Sequence, residues 1–283
     1  MIWKIKGEKL SLQKILLMGI LNVTPDSFSD PGKFFDPAKA VQHGLRLAQE
    51  GADLLDLGAE STRPGAEEVS AEEESRRILP VLRGLRRQLS LPLSIDTTKP
   101  EIAEVCLNEG ANIINDVSGL RDSGPEMARV VWKNQAGLIL MHRRGNPKTM
   151  QSLARYDDVV EEVLAELRQS VGLALGFGIS SEQLVVDPGL GFAKTTEQNL
   201  EILSRLEKFH LLDLPLLLGP SRKSFIGNLT GRGVDHREYG TAAVAALAVE
   251  KGVHLLRVHE VAAMRDVVRV SEAIKEGNNV RTF

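Results

Sequence analysis

Eight short apolar runs recur along the chain, and most end in a polar or glycine-turn cluster. They occupy residues 15–21, 52–59, 91–95, 113–114, 138–141, 184–186, 214–218 and 253–256. Helix-like segments fill the gaps at 37–50, 71–88, 100–108, 124–134, 157–176, 197–209, 238–251 and 260–275. Strands that alternate with helices imply a parallel sheet. Runs with almost no polar alternation, such as Ile15-Leu16-Leu17-Met18, suit strands covered on both faces. Eight such units favour a closed (β/α)8 TIM barrel over an open sheet, and 283 residues accommodate one barrel with small additions. Parallel strands put all their C-terminal ends on one side. Residues more than two hundred positions apart would therefore line one pocket.

The first residues alternate as Ile2-Trp3-Lys4-Ile5-Lys6, could turn at Gly7-Glu8-Lys9, and alternate again through Leu10-Ser11-Leu12. This predicts a hairpin over 1–14 that plugs the bottom of a barrel over 15–277, with 278–283 as a tail. Two connections are long, 22–36 with Phe34-Phe35 and 61–70, and both are expected to act as lids over the pocket. Pro80 is expected to kink or split the helix over 71–88. Residues 241–249 are apolar nearly all round, so that helix should be buried on more than one side.

The net charge is −3 with both signs interspersed, which argues against a nucleic-acid surface. Anion recognition must then come from a local cluster. The single cysteine, Cys106, excludes a disulfide within the chain and reads as a buried helix residue. The longest apolar stretch, 242–249, falls well short of the ~20 residues of a membrane span, and no signal-peptide core opens the chain. A soluble, cytoplasmic protein is expected.

In barrels of this class phosphate often binds near the loops after strands 7 and 8. Those loops hold Ser221-Arg222-Lys223 and Arg257-Val258-His259, and with Arg63 they suit a phosphate or diphosphate. The acidic and amide set differs. Asp56 lies inside a strand, while Asp96, Asn115 and Asp187 end strands. A carboxylate at an apolar strand end is costly unless paired. It could form a structural ion pair, or cap a helix as Asp96 could at Pro100. It could also receive the parallel N–H groups of a flat heterocycle. Gly189-Leu190-Gly191-Phe192 is no dinucleotide fingerprint, the histidines lack zinc-ligand spacing, and no nucleophile stands beside an evident base.

Several motifs closely resemble one family, dihydropteroate synthase. They are residues 19–30, Glu60-Ser61-Thr62-Arg63-Pro64-Gly65, Ser94-Ile95-Asp96-Thr97, Ile114-Asn115-Asp116-Val117-Ser118, Asp187-Pro188-Gly189, Ser221-Arg222-Lys223-Ser224 and Arg257-Val258-His259. The resemblance implies a TIM-barrel transferase of folate synthesis. Such an enzyme joins (7,8-dihydropterin-6-yl)methyl diphosphate to 4-aminobenzoate. It further implies Mg²⁺ at Asn22, a pterin pocket of Asp96, Asn115, Asp187 and Lys223, and a diphosphate site of Arg63, Arg257 and His259, with Val258 between the last two. Thr62, Pro64, Phe28, Phe192 and Ser221 would surround the aminobenzoate, and Asp26 and Phe28 would close over the reaction. Among these, Asp96, Lys223, Arg63, Phe28 and Asp26 are the implied catalytic residues. The family is typically homodimeric and a target of sulfonamides. Departures from its pattern are Pro31, Arg143, Pro220 and Glu260, none at an implied pterin ligand. A pterin-binding methyltransferase would share the acidic pocket but has no need of a cationic diphosphate site. A pterin-binding paralogue without activity would have no need of the loop over 22–30. His142 has no implied role and reads as structural.

Overall fold

A computed structural model describes residues 1–24, 36–60 and 65–277. It contains a two-stranded antiparallel hairpin, β1 (Ile2–Ile5) and β2 (Glu8–Ser11), and eight parallel strands. These are β3 (Leu16–Asn22), β4 (Leu54–Gly58), β5 (Leu93–Asp96), β6 (Ile113–Asp116), β7 (Gly137–Met141), β8 (Leu184–Asp187), β9 (Leu217–Leu218) and β10 (Leu255–Val258). The ladder runs β8-β7-β6-β5-β4-β3-β10-β9. A parallel bridge from Val186 to Leu216 joins its two ends, so the sheet closes into the expected barrel.

Around it lie α1 (Pro37–Gln49), α2 (Ala71–Arg86), α3 (Pro100–Asn108), α4 (Gly124–Asn134), α5 (Val159–Gly176), α6 (Thr196–Ser204), α7 (Ser224–Thr230), α8 (Glu238–Glu250) and α9 (Val261–Glu276). Among the described residues no helix is long and apolar enough to cross a membrane.

Several expected boundaries move for identifiable reasons. The run at 253–256 becomes Leu255–Val258, because the Val253 amide donates to Ala248 and closes α8. The run at 214–218 shrinks to two strand residues; Pro215 within it has no N–H for a ladder. The segment over 197–209 divides into α6 and a 3-10 turn, Leu206–Leu212. Helix α7 was not foreseen. Pro80 does not split α2. Pro80 and Arg76, whose carbonyl loses its partner there, are both exposed, while Ile78, Val81, Leu82 and Leu85 bury the opposite face. Helix α8 buries Thr241, Ala245, Ala248 and Val249, but Leu247 and Tyr239 are exposed, so a single chain does not cover it all round.

The side-chain period of two sorts the barrel interior into layers. At the bottom Met18, Leu54, Ile113, Ile139, Val185, Leu217 and Leu255 pack with Trp3, Ile5 and Leu12 of the hairpin segment. The hairpin thus plugs the bottom and turns at Lys6-Gly7, both at positive φ, one position before the expected turn. Trp3 is fully buried and donates its indole N–H to the Gln183 carbonyl at 2.9 Å. Gly137 makes room for the plug: a Cβ there would lie 2.6 Å from Ile5 Cγ2. Two residues further along each strand, on the same inward face, stand Asp56, Asn115, Asp187 and Arg257.

Candidate active site

One guanidinium organises the upper layer. Arg257 donates Nε–H to Asp56 Oδ2 at 2.6 Å and Nη2–H to Asp96 Oδ2 at 2.9 Å. Asn115 donates its side-chain N–H to the same Asp56 oxygen at 3.0 Å. Asp56 is completely buried, and its Oδ1 has no hydrogen-bond partner. Asp96 therefore caps no helix; α3 follows Lys99 without a side-chain cap. Burial pushes Asp96 up to about 7, with Arg257 opposing and the Asp56 charge reinforcing. Two carboxylates share one cation, so the cluster carries a negative excess whenever both ionise.

Asp187, across the barrel, accepts the Gly189 backbone N–H on Oδ1 at 2.7 Å, and burial raises it to about 6. Lys223 places its ammonium 4.1 Å from the centre of the Phe192 ring, and burial brings it down to about 8. Phe192 is buried with Val117, Met141, Met150 and Ala193. Ser221 Oγ lies 2.9 Å from His259 Nδ1 and accepts the His259 backbone N–H at 3.3 Å. Arg222 does not join the expected cationic mouth. Its Nε donates to Glu260 Oε1 at 2.7 Å, and its carbonyl accepts from Arg237 at 3.0 Å, so it braces the loop. Described cations at the rim are thus Lys223 and Arg257, with His259 beside Ser221. The arrangement offers carboxylates and an amide to N–H donors next to donors suited to an anion.

Residues 18–259 match the family of pterin binding enzymes. The dihydropteroate synthase of Synechocystis sp. is 44% identical over 263 residues, covering 93% of this chain and 91% of that protein. The structure of Xanthomonas albilineans dihydropteroate synthase with 4-aminobenzoic acid superposes with a TM-score of 0.91 at 45% identity, covering 98% of both chains. The same enzyme in complex with 7,8-dihydropteroate gives 0.88 at 42% identity, covering 98% of this chain and 100% of that one. The chain belongs to the dihydropteroate synthases.

Measured against that family, the described rim holds Asp96, Asn115, Asp187, Phe192, Ser221, Lys223, Arg257 and His259. Val258 departs from the expectation. Its side chain points outward into the core between strands and helices, leaving only its backbone at the rim. Arg257 was expected on diphosphate, yet it is anchored between the two carboxylates. Of its five N–H donors two are engaged among the described residues, so donors remain for a phosphate oxygen. Asp26, Phe28, Thr62, Arg63 and Pro64 lie outside the described residues, as do the rest of residues 25–35 in the first long loop and Ser61 in the second.

Asn22 ends β3 half-buried, beside Gly58 of β4. Among the described residues no three His, Cys, Asp or Glu side chains group as a metal cage. One amide oxygen is nonetheless a fitting donor for Mg²⁺, which keeps several waters and commonly shares substrate phosphates.

Sequence reasoning noted Asp56 as a polar residue in a strand but left it out of the site. Its signal was parity, since it follows core-facing Leu54 by two. A second set carried no local signal. Lys99 bridges Glu60 at 2.6 Å and Glu74 at 2.8 Å, tying the end of β4 to α2 and α3. Behind the site, buried Lys194 and His142 form a chain with half-buried Glu166.

Proposed function

We infer that this protein condenses (7,8-dihydropterin-6-yl)methyl diphosphate with 4-aminobenzoate, giving 7,8-dihydropteroate and diphosphate. The observation that carries this reading is the buried Asp56–Arg257–Asp96 cluster, flanked by Asn115 and facing Asp187 and Lys223. An amino-pyrimidinone edge supplies the paired N–H donors that Asp187 and Asn115 can hold. Asp96 lies where its negative charge stabilises a cationic pterin methylene. The methylene C–O bond breaks, and the electron pair leaves with diphosphate. The free N–H groups of Arg257, with Lys223 and His259, stabilise the departing charge. The aminobenzoate nitrogen then forms the new C–N bond and releases a proton. We assign Asn22, together with the diphosphate, as the group that would hold Mg²⁺, which would neutralise charge on the leaving group. Arg63, Thr62, Pro64, Phe28 and Asp26 are assigned to the same site by the family resemblance. Incubation of the pure protein with the pterin diphosphate, Mg²⁺ and 4-aminobenzoate tests the reading. Dihydropteroate should accumulate in step with diphosphate, and its absence overturns the assignment.

A cytoplasmic homodimer completes the proposal. Tyr239 and Leu247 of α8 and Val270 and Ile274 of α9 are exposed apolar or aromatic side chains on two helices packed together. A second copy is the occupant that the family resemblance implies for this face. Sedimentation at micromolar concentration should give twice the 31.0 kDa chain mass. A monomer mass would refute the dimer without touching the chemistry.

A further inference from the structure

Among the described residues, the most enclosed cation outside the reaction centre is Lys194. Its residue is 3% exposed, and its ammonium meets three acceptors. These are the Phe192 carbonyl at 2.9 Å, the Gly189 carbonyl at 3.0 Å and His142 Nδ1 at 3.0 Å. An ammonium has three N–H donors, so the set is complete. Among the described residues no carboxylate pairs with it directly. Two of the acceptors belong to the short segment that Lys194 itself terminates, so the side chain folds back through its own loop. A His142 ring that accepts at Nδ1 carries its proton on Nε2, which lies 3.0 Å from Glu166 Oε2. Glu166 is held in turn by Arg121 at 2.6 Å and Arg144 at 2.9 Å. The loop is therefore tied through the barrel wall to α5.

The loop's Gly189 N–H holds Asp187, its Phe192 ring lies under the Lys223 ammonium, and Gly191 packs on the Lys223 stem. Gly189 passes so close to the His142 carbonyl oxygen that a Cβ would overlap it. Burial brings Lys194 down to about 7 against the opposing charges of Asp187 and Glu166, so keeping this amine buried with only neutral acceptors is costly. Backbone carbonyls at an ordinary turn need no such partner.

We propose that Lys194 is a positioning residue of the pterin site, fixing Phe192, and through it Lys223, by clamping the Gly189 and Phe192 carbonyls. The proposal rests on the pterin reading above. It predicts that the side chain acts on ligand affinity through Phe192 and not through global stability.

The test is a double-mutant cycle on the full chain with Lys194→Met, Phe192→Ala and both together. The readout is equilibrium affinity for the pterin diphosphate, which requires no turnover. Lys194→Met should weaken binding at least tenfold in the wild-type background and less than threefold in the Phe192→Ala background. Equal losses in both backgrounds, or no loss in the first, overturn the proposal. If Lys194→Met does not fold, Lys194→Gln serves in its place, because its amide N–H groups can reach toward the carbonyls but cannot supply the third bond. There a loss of about threefold that vanishes with Phe192→Ala is expected, and a loss that persists overturns the proposal. A wild-type protein that fails to bind the pterin diphosphate refutes the functional reading itself, which separates the two failures.

Discussion

At the scale of single residues, Arg257 and Asp96 should behave oppositely on mutation although they touch. Arg257→Met leaves Asp56 and Asp96 buried without their cation, and a broken buried pair costs about 3–5 kcal/mol. Asp96→Asn removes one of two like charges and keeps the shape. Stability should then change by less than about 1 kcal/mol while kcat/KM falls at least ~100-fold, because the stabilising charge for the cationic methylene is gone. Chemical denaturation beside steady-state kinetics checks both, and a stability loss of similar size in the two variants would contradict the layout. His142 gives a pH signature. Burial, with the Lys194 charge beside it, holds its folded-state value at about 3 against an ordinary 6.5. The unfolded chain therefore takes up this proton first as pH falls below 6.5, and the His142 contribution to stability drops progressively toward pH 3, opposite in sign to the contributions of the raised Asp96 and Asp187. Between pH 8 and pH 5 this contribution amounts to about 2 kcal/mol, so the cost of His142→Gln should be smaller at pH 5 than at pH 8 by that amount. An equal cost at both pH values would show that His142 is not held below its ordinary value.

At the scale of elements, α2 makes the most direct test. Pro80 lies on its exposed side and removes one intrahelical N–H. Pro80→Ala should raise stability by about 1–2 kcal/mol, less than the ~3 kcal/mol helix propensity gap, because proline also restricts the unfolded chain. A lower Tm would mean that the proline is required for the path of α2 beneath Glu74, whose carboxylate meets Lys99. The elements also show how local signals succeeded and failed. Helices α3 and α4 fall on their expected residues, since Pro100 and Pro125 sit in their first turns and the apolar spacing is clean. Helix α7 escaped notice because Ser224–Thr230 is short and mixed, and its first turn carries no acid. The expectation for Pro80 failed because core contacts of Ile78, Val81, Leu82 and Leu85 override one lost hydrogen bond.

At the scale of the whole molecule, the hairpin closes the barrel from the face opposite the site. Trp3→Ala would remove a fully buried indole from the bottom layer and should cost about 3–5 kcal/mol. Under conditions where the variant stays folded, kcat/KM should remain within about twofold, because the bottom layer of strand side chains lies between Trp3 and Arg257. A large loss of activity in folded protein would show that the plug sets the geometry of the rim. The sequence by itself determined the alternation of strands and helices, the closed barrel, and a rim that gathers acids, an amide and cations. Those features depend on side-chain period and on the common direction of parallel strands, which are local or topological properties. Tertiary structure alone decided which charges meet. It joined Arg257 to Asp56 across 201 positions, turned Arg222 away to Glu260, and folded Lys194 under its own loop against His142. Such pairings depend on interatomic distances of a few ångströms between strand ends remote in sequence, and no spacing along the chain encodes them.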